Sequence, residues 1–108
     1  MMEDAEHAIV AYGCMVLSAT SALQQLREAG LKVGLLKLGT LWPFPRFALE
    51  NWLPQLKTIL VPELNIGQIY REVLRVNAGR ATVEKINRVN GTIIAPDEIV
   101  KAVKGMVR

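Results

Sequence analysis

The pattern of apolar residues in this 108-residue chain predicts an α/β fold: three layers, α/β/α, around a four-stranded, essentially parallel sheet in the order 2-1-3-4. Three observations carry that expectation. Short apolar runs alternate with stretches whose apolar residues recur at helical spacing. The first two runs are joined by a crossover long enough for one helix, which makes the strands parallel and the crossover right-handed. Glycine and proline punctuate the junctions. A reversal of strand order after the first crossover lets helices cover both faces, which gives 2-1-3-4.

The elements follow in turn. His7-Ala-Ile-Val-Ala-Tyr-Gly13 is a short apolar run closed by glycine, as a buried strand would be. From Met15 to Ala29, Val16, Ala19, Leu23 and Leu26 mark the inner stripe of a helix, with Ser18, Gln25 and Glu28 mainly opposite. Gly30 then suits a left-handed C-terminal turn. Lys32–Leu38 is the second strand. Pro45 can open a short helix that turns Ala48, Leu49, Trp52 and Leu53 inward and stops near Pro54. Lys57–Pro62 is the third strand. A helix over 68–77 should bury Ile69, Tyr70, Val73 and Leu74, with Ile66 just ahead of it, and face Arg71, Glu72 and Arg75 outward. Ala78-Gly79 closes it. Thr82–Arg88 alternates as a charged edge strand. The last helix begins at Pro96, with Asp97 and Glu98 where the helix dipole favours carboxylates, and buries Ile99, Val103 and Met106.

Composition narrows the function. One Cys and one His leave no material for a disulfide framework, a cysteine-rich zinc site or an iron–sulfur cluster. The acidic start lacks the basic region of a signal peptide, and no apolar run reaches the roughly 18 residues of a membrane span. A single cytoplasmic domain over residues 1–108 is expected. The net charge of +3 is spread from Arg27 to Arg108 without interleaved aromatics, so a solvated face is expected rather than a nucleic-acid or membrane surface.

Chemistry in an open parallel sheet belongs at the carboxyl ends of its strands. Three loops there carry unusual residues. Gly13-Cys14 can serve as a tight strand-to-helix turn or as an anion site, although it lacks the further glycines of a dinucleotide fingerprint. Glu63, Asn65, Gly67 and Gln68 surround another such turn, where Asn65 can cap the helix or meet a ligand. Leu41-Trp42-Pro43-Phe44-Pro45 is stiff and apolar and suits a contact with another domain or chain. No nucleophile–base pair, carboxylate dyad or metal cluster is present, so no catalytic residue is assigned. A free-standing flavodoxin-like module binding a small ligand or anion is the alternative to an assembly domain.

Taken together, Glu6–Gly13, Leu31–Leu38, Leu41–Pro45, Val61-Pro-Glu-Leu-Asn65 with Gly67-Gln68, and Asn90-Gly91 followed by Pro96–Ile99 resemble one family over nearly the whole chain. The resemblance is to the C-terminal, transketolase-C-like domain of the alpha subunit of 2-oxoacid:ferredoxin oxidoreductases. It implies an intact enzyme that decarboxylates a 2-oxoacid, transfers the acyl group to coenzyme A and passes electrons to ferredoxin. Thiamine diphosphate with Mg and Fe–S clusters would supply that chemistry. It also implies that those cofactors lie elsewhere, since the diphosphate-binding Gly-Asp-Gly motif and the cluster cysteines are missing here. This domain would then pack against the remaining alpha-subunit domains and the beta subunit and be inactive alone. Two departures stand out. The family's additional antiparallel strand is missing before His7, which implies a fragment or a short subunit. Cys14 stands where a small residue such as serine is expected, which speaks against required thiol chemistry.

Overall fold

In the computed structural model, residues 4–13, 15–37, 49–63, 68–87 and 94–107 are described. They form β1 (His7–Ala11), α1 (Met15–Glu28), β2 (Val33–Lys37), a 3₁₀ turn (Leu53–Gln55), β3 (Thr58–Glu63), α2 (Gln68–Asn77), β4 (Thr82–Asn87) and α3 (Pro96–Val107). The four strands make one sheet in the order β2-β1-β3-β4, and every pairing is parallel, as the apolar pattern predicts.

All five residues of β1 are buried, which is the mark of a central strand covered on both sides. Alternation then divides the core in two. Ala8 and Val10 of β1 join Ile59 and Val61 of β3 beneath Leu49, Leu53 and Leu56 and beneath Val73 and Val76 of α2. Ile9 and Ala11 point the other way, with Val33 and Leu60, against Met15, Ala19, Ala22, Leu23 and Leu26 of α1 and Ile99 and Val103 of α3. Helices therefore cover both faces, as the strand order requires.

Glycine ends α1 as expected. The Leu31 N–H reaches back to the Leu26 carbonyl at 3.1 Å and the Gly30 N–H to the Arg27 carbonyl at 3.0 Å, while Gly30 adopts φ +88°. This pair of bonds is the Schellman closure, and its left-handed residue is the one a side chain would strain. The short helix expected from Pro45 lies mostly outside the described residues, and its described end, residues 49–50, comes ahead of Pro54. That proline sits inside the 3₁₀ turn, where its missing N–H costs nothing.

One face is rotated from the expectation. Leu74 is 42% exposed, whereas Val73, Val76 and Asn77 are buried. Leu74 stands about 100° round the helix from the fully buried Val73, at the flank of the buried stripe, and so reaches solvent. The Asn77 Nδ2 donates to the Ala81 carbonyl at 2.9 Å, and its Oδ1 accepts from the Ala81 N–H at 2.8 Å. These two hydrogen bonds span the left-handed pair Ala78 (φ +50°) and Gly79 (φ +82°) and hold the end of α2 against the start of β4.

Candidate functional site

At the carboxyl edge, β1 ends at Ala11 and Gly13 takes φ +59° before α1 begins. A Cβ on Gly13 would meet nothing within 4 Å, so the backbone conformation calls for glycine there and no close neighbour does. The Met15 N–H donates to the Tyr12 carbonyl at 3.2 Å and the Val16 N–H to the Gly13 carbonyl at 3.1 Å. An anion at this helix end would draw on those first N–H groups, and two of them already have partners. Across the point where strand order reverses, β3 runs to Glu63, which pairs with Asn87 of β4, and Gln68 opens α2. The candidate residues Cys14, Leu41, Trp42, Pro43, Phe44, Pro45, Asn65 and Gly67 lie outside the described residues, as do the side chains of Glu63 and Gln68. Arg75 is paired with Glu72 on its own helix, while Arg71 is exposed. Among the described residues no group of three or more His, Cys, Asp or Glu could hold a metal ion, and no helix is long and apolar enough to cross a membrane.

A polar cluster outside the candidate residues occupies the opposite, amino edge. Lys32, Glu6 and Lys57 each stand one residue before β2, β1 and β3, so the parallel register of His7 with Val33 and with Thr58 sets them side by side. Glu6 bonds Lys57 at 3.0 Å and lies 3.7 Å from Lys32. The Lys57 ammonium, through its hydrogen bond and charge, holds the Glu6 carboxyl below its usual range. Arg27 donates to both oxygens of Asp4 and, through Nε, to the Val33 carbonyl at 2.7 Å, which joins α1 to β2 and to the chain before β1. The Arg27 hydrogen bonds lower the Asp4 pKa. Gln55 donates to the Ala5 carbonyl at 2.9 Å. The strand order, once inferred, was the one signal from which the Lys–Glu–Lys row could have been found.

His7 is buried at this edge and shares a 2.8 Å hydrogen bond between its Nδ1 and Oγ1 of Thr58. Burial pushes the His7 pKa below its ordinary value of 6.5, and the Lys57 charge adds to this against the opposing pull of Glu6. In the window just below pH 6.5 the unfolded chain therefore takes up a proton that the folded chain refuses. Stability falls as pH drops through 6.5 and levels off once the folded His7 is protonated. The lowered Asp4 and Glu6 values add a second loss nearer the carboxylate range. Because His7 is the chain's one histidine, a His7→Gln variant should lose the slope of urea midpoint against pH between about 7.5 and 5.5. A parent protein whose midpoint is flat across that window contradicts the burial argument.

The positions of these elements find close counterparts. The chain is 36% identical over 104 residues to the 2-oxoglutarate synthase subunit KorA of Methanothermobacter marburgensis, covering 96% of this chain and 28% of that protein. It is also 36% identical over 104 residues to the ketoisovalerate oxidoreductase subunit VorB of the same organism, covering 96% of this chain and 29% of VorB. The chain thus spans less than a third of the length of these curated relatives. Among solved structures, the 2-oxoglutarate:ferredoxin oxidoreductase of Magnetococcus marinus, with 2-oxoglutarate, coenzyme A and succinyl-CoA bound, superposes with a TM-score of 0.82 at 26% identity over 97% of this chain and 18% of that one. A split-gene transketolase, described as an inactive beta4 tetramer, superposes at 0.81 with 21% identity over 97% of this chain and 40% of its own, a likeness of fold. The family model for the pyruvate:ferredoxin oxidoreductase core domain II matches residues 5–99, and the chain belongs to that family.

Proposed function

We propose that these 108 residues form one domain of the alpha subunit of a cytoplasmic 2-oxoacid:ferredoxin oxidoreductase, and that the domain serves assembly rather than catalysis. One observation carries this reading. The chain is 36–39% identical to KorA subunits and 33–36% identical to VorB subunits, which belong to enzymes named for two different 2-oxoacids, and this favours a role common to both over the choice of substrate. The local chemistry agrees. The Met15 and Val16 N–H groups at the first strand-to-helix turn are already donated to backbone carbonyls, which does not fit a cradle for the diphosphate of thiamine diphosphate. Thiamine diphosphate, Mg and the Fe–S clusters then belong to other parts of the intact enzyme, as do the contacts with coenzyme A and ferredoxin.

The contribution of this domain is a rigid two-faced sheet that presents its carboxyl-edge loops to the remaining alpha-subunit domains and the beta subunit. Leu41-Trp42-Pro43-Phe44-Pro45 is the proposed contact, since stiff, apolar, aromatic segments make good interface anchors.

The test is a graft. The chain replaces its matching segment in KorA of Methanothermobacter marburgensis, which is expressed with its partner subunit. The expected result is a co-purifying complex with 2-oxoglutarate-dependent dye reduction. Trp42→Ala with Phe44→Ala should abolish co-purification while the melting temperature of the isolated chain stays within about 2 °C of the parent. A graft that folds but never assembles contradicts the proposal.

A further inference from the structure

The outer face of α1 differs from those of the other helices. From Met15 to Leu26 this helix carries no charged residue, and the positions it exposes there are Leu17, Ser21, Gln24 and Gln25. The exposed positions of α2 and α3 include Arg71, Arg75, Asp97, Lys101 and Lys104. A helix face kept in water ordinarily carries charge, whereas the centre of an interface is depleted of it.

Leu17 anchors that face. It is 78% exposed, the most exposed large apolar side chain among the described residues. Ser21 and Gln24 follow it four and seven residues on, along one stripe of the helix. Beside it Val16 is half-buried, and Thr20 turns its hydroxyl onto the Val16 carbonyl at 2.7 Å. Charge returns only at the far end of α1, where Arg27 is tied to Asp4 and to the Val33 carbonyl. The face therefore offers one apolar anchor followed by neutral hydrogen-bonding groups.

Its chemistry and size select the occupant. A membrane surface or a nucleic acid would need basic residues beside Leu17, and α1 has none there. A second copy would gain too little. Fourteen residues make a helix about 21 Å long and about 10 Å wide. One such face offers on the order of 200–300 Å², against the roughly 800 Å² per partner of a stable complex. A contact that small holds when both its sides belong to one chain, because tethering supplies a high local concentration. The chain matches only 28% of KorA, and in the solved Magnetococcus marinus enzyme the same fold takes up 18% of its chain. Most of each of those chains lies outside this domain.

We propose that the uncharged outer face of α1 docks against a neighbouring domain of the same subunit, which presents an apolar pocket to Leu17 and neutral hydrogen-bonding groups to Ser21 and Gln24. This rests on the reading that the chain is one domain of a larger alpha subunit.

The test is photo-crosslinking in the KorA graft complex described above, with Gln25→benzoylphenylalanine at the rim of the face. The expected product keeps the mobility of a single alpha subunit on a denaturing gel and joins α1 to a KorA peptide outside the graft. Leu17→Arg should lower its yield at least about fivefold while the isolated chain's melting temperature stays within about 2 °C of the parent. Gln24→Arg, two turns further on, should lower the yield in the same way. A product with the mass of two alpha subunits, or of an alpha subunit with its partner subunit, overturns the proposal. So does an assembled, active graft that gives no product, or one whose yield survives both substitutions. Each of these outcomes leaves the domain reading in place. A graft that does not assemble overturns both.

Discussion

Ile9→Ala should destabilise the isolated chain by about 2–5 kcal/mol, a large fraction of the roughly 5–15 kcal/mol that a domain of this size possesses. Ile9 is fully buried in the middle of the central strand, with Leu35 of β2 on one side and Leu60 of β3 on the other. Its side chain fills the face shared by α1 and α3, so truncation removes apolar burial where three elements meet. Neighbours held by a sheet cannot collapse into the space, and a cavity remains. The control is Leu17→Ala on α1. Leu17 is 78% exposed, and its loss should change stability by no more than about 0.5 kcal/mol. Urea unfolding of the two variants checks both values. Equal effects at the two sites would mean that the two-faced core is wrongly placed.

The second large effect is at Asn77. Asn77→Ala strips the Ala81 N–H and carbonyl of both partners at a residue only half open to water, at a cost of about 2–3 kcal/mol. Asn77→Asp separates the two bonds. The carboxylate still accepts from the Ala81 N–H but sets a negative charge against the Ala81 carbonyl within a buried site, so it should be no more stable than the alanine variant near neutral pH. The same urea series reads this out. A fully stable Asp variant would show that Asn77 does not close the turn between α2 and β4.

These two residues also mark how far the sequence can be read. Ile9 was legible, because a run of apolar residues between polar and glycine boundaries has the length and character of a buried strand. The helix over Gln68–Asn77 and the start of α3 at Pro96 were legible for a similar reason, since glycine, proline and asparagine act on the local backbone wherever they stand. Asn77 was not. An asparagine ahead of Ala-Gly suits many turns, and its residue type does not say that its side chain will bond Ala81 four residues on. At the strand ends, expectation ran long: the apolar run continued through Tyr12 to Gly13, yet pairing stops at Ala11 because Gly13 turns left-handed.

The candidate site divides along the same line. Gly13 declared itself by residue type, as only glycine holds φ +59° without strain. His7 did not, because its partner Thr58 is 51 residues away and depends on the β1–β3 register. The Lys32–Glu6–Lys57 row is intermediate. Each residue is unremarkable alone, and the row emerges only when parallel register and strand order are combined.

If this domain supports an oxidoreductase without holding its reaction centre, the isolated chain should take up none of the reaction's cofactors or substrates. Calorimetric titration of the isolated, folded chain with thiamine diphosphate and Mg, then with coenzyme A and with 2-oxoglutarate, tests it most directly. The predicted result is no saturable heat at millimolar ligand and no reduction of a redox dye when all are combined. Micromolar, stoichiometric binding of thiamine diphosphate, or turnover of the 2-oxoacid by this chain alone, would contradict it.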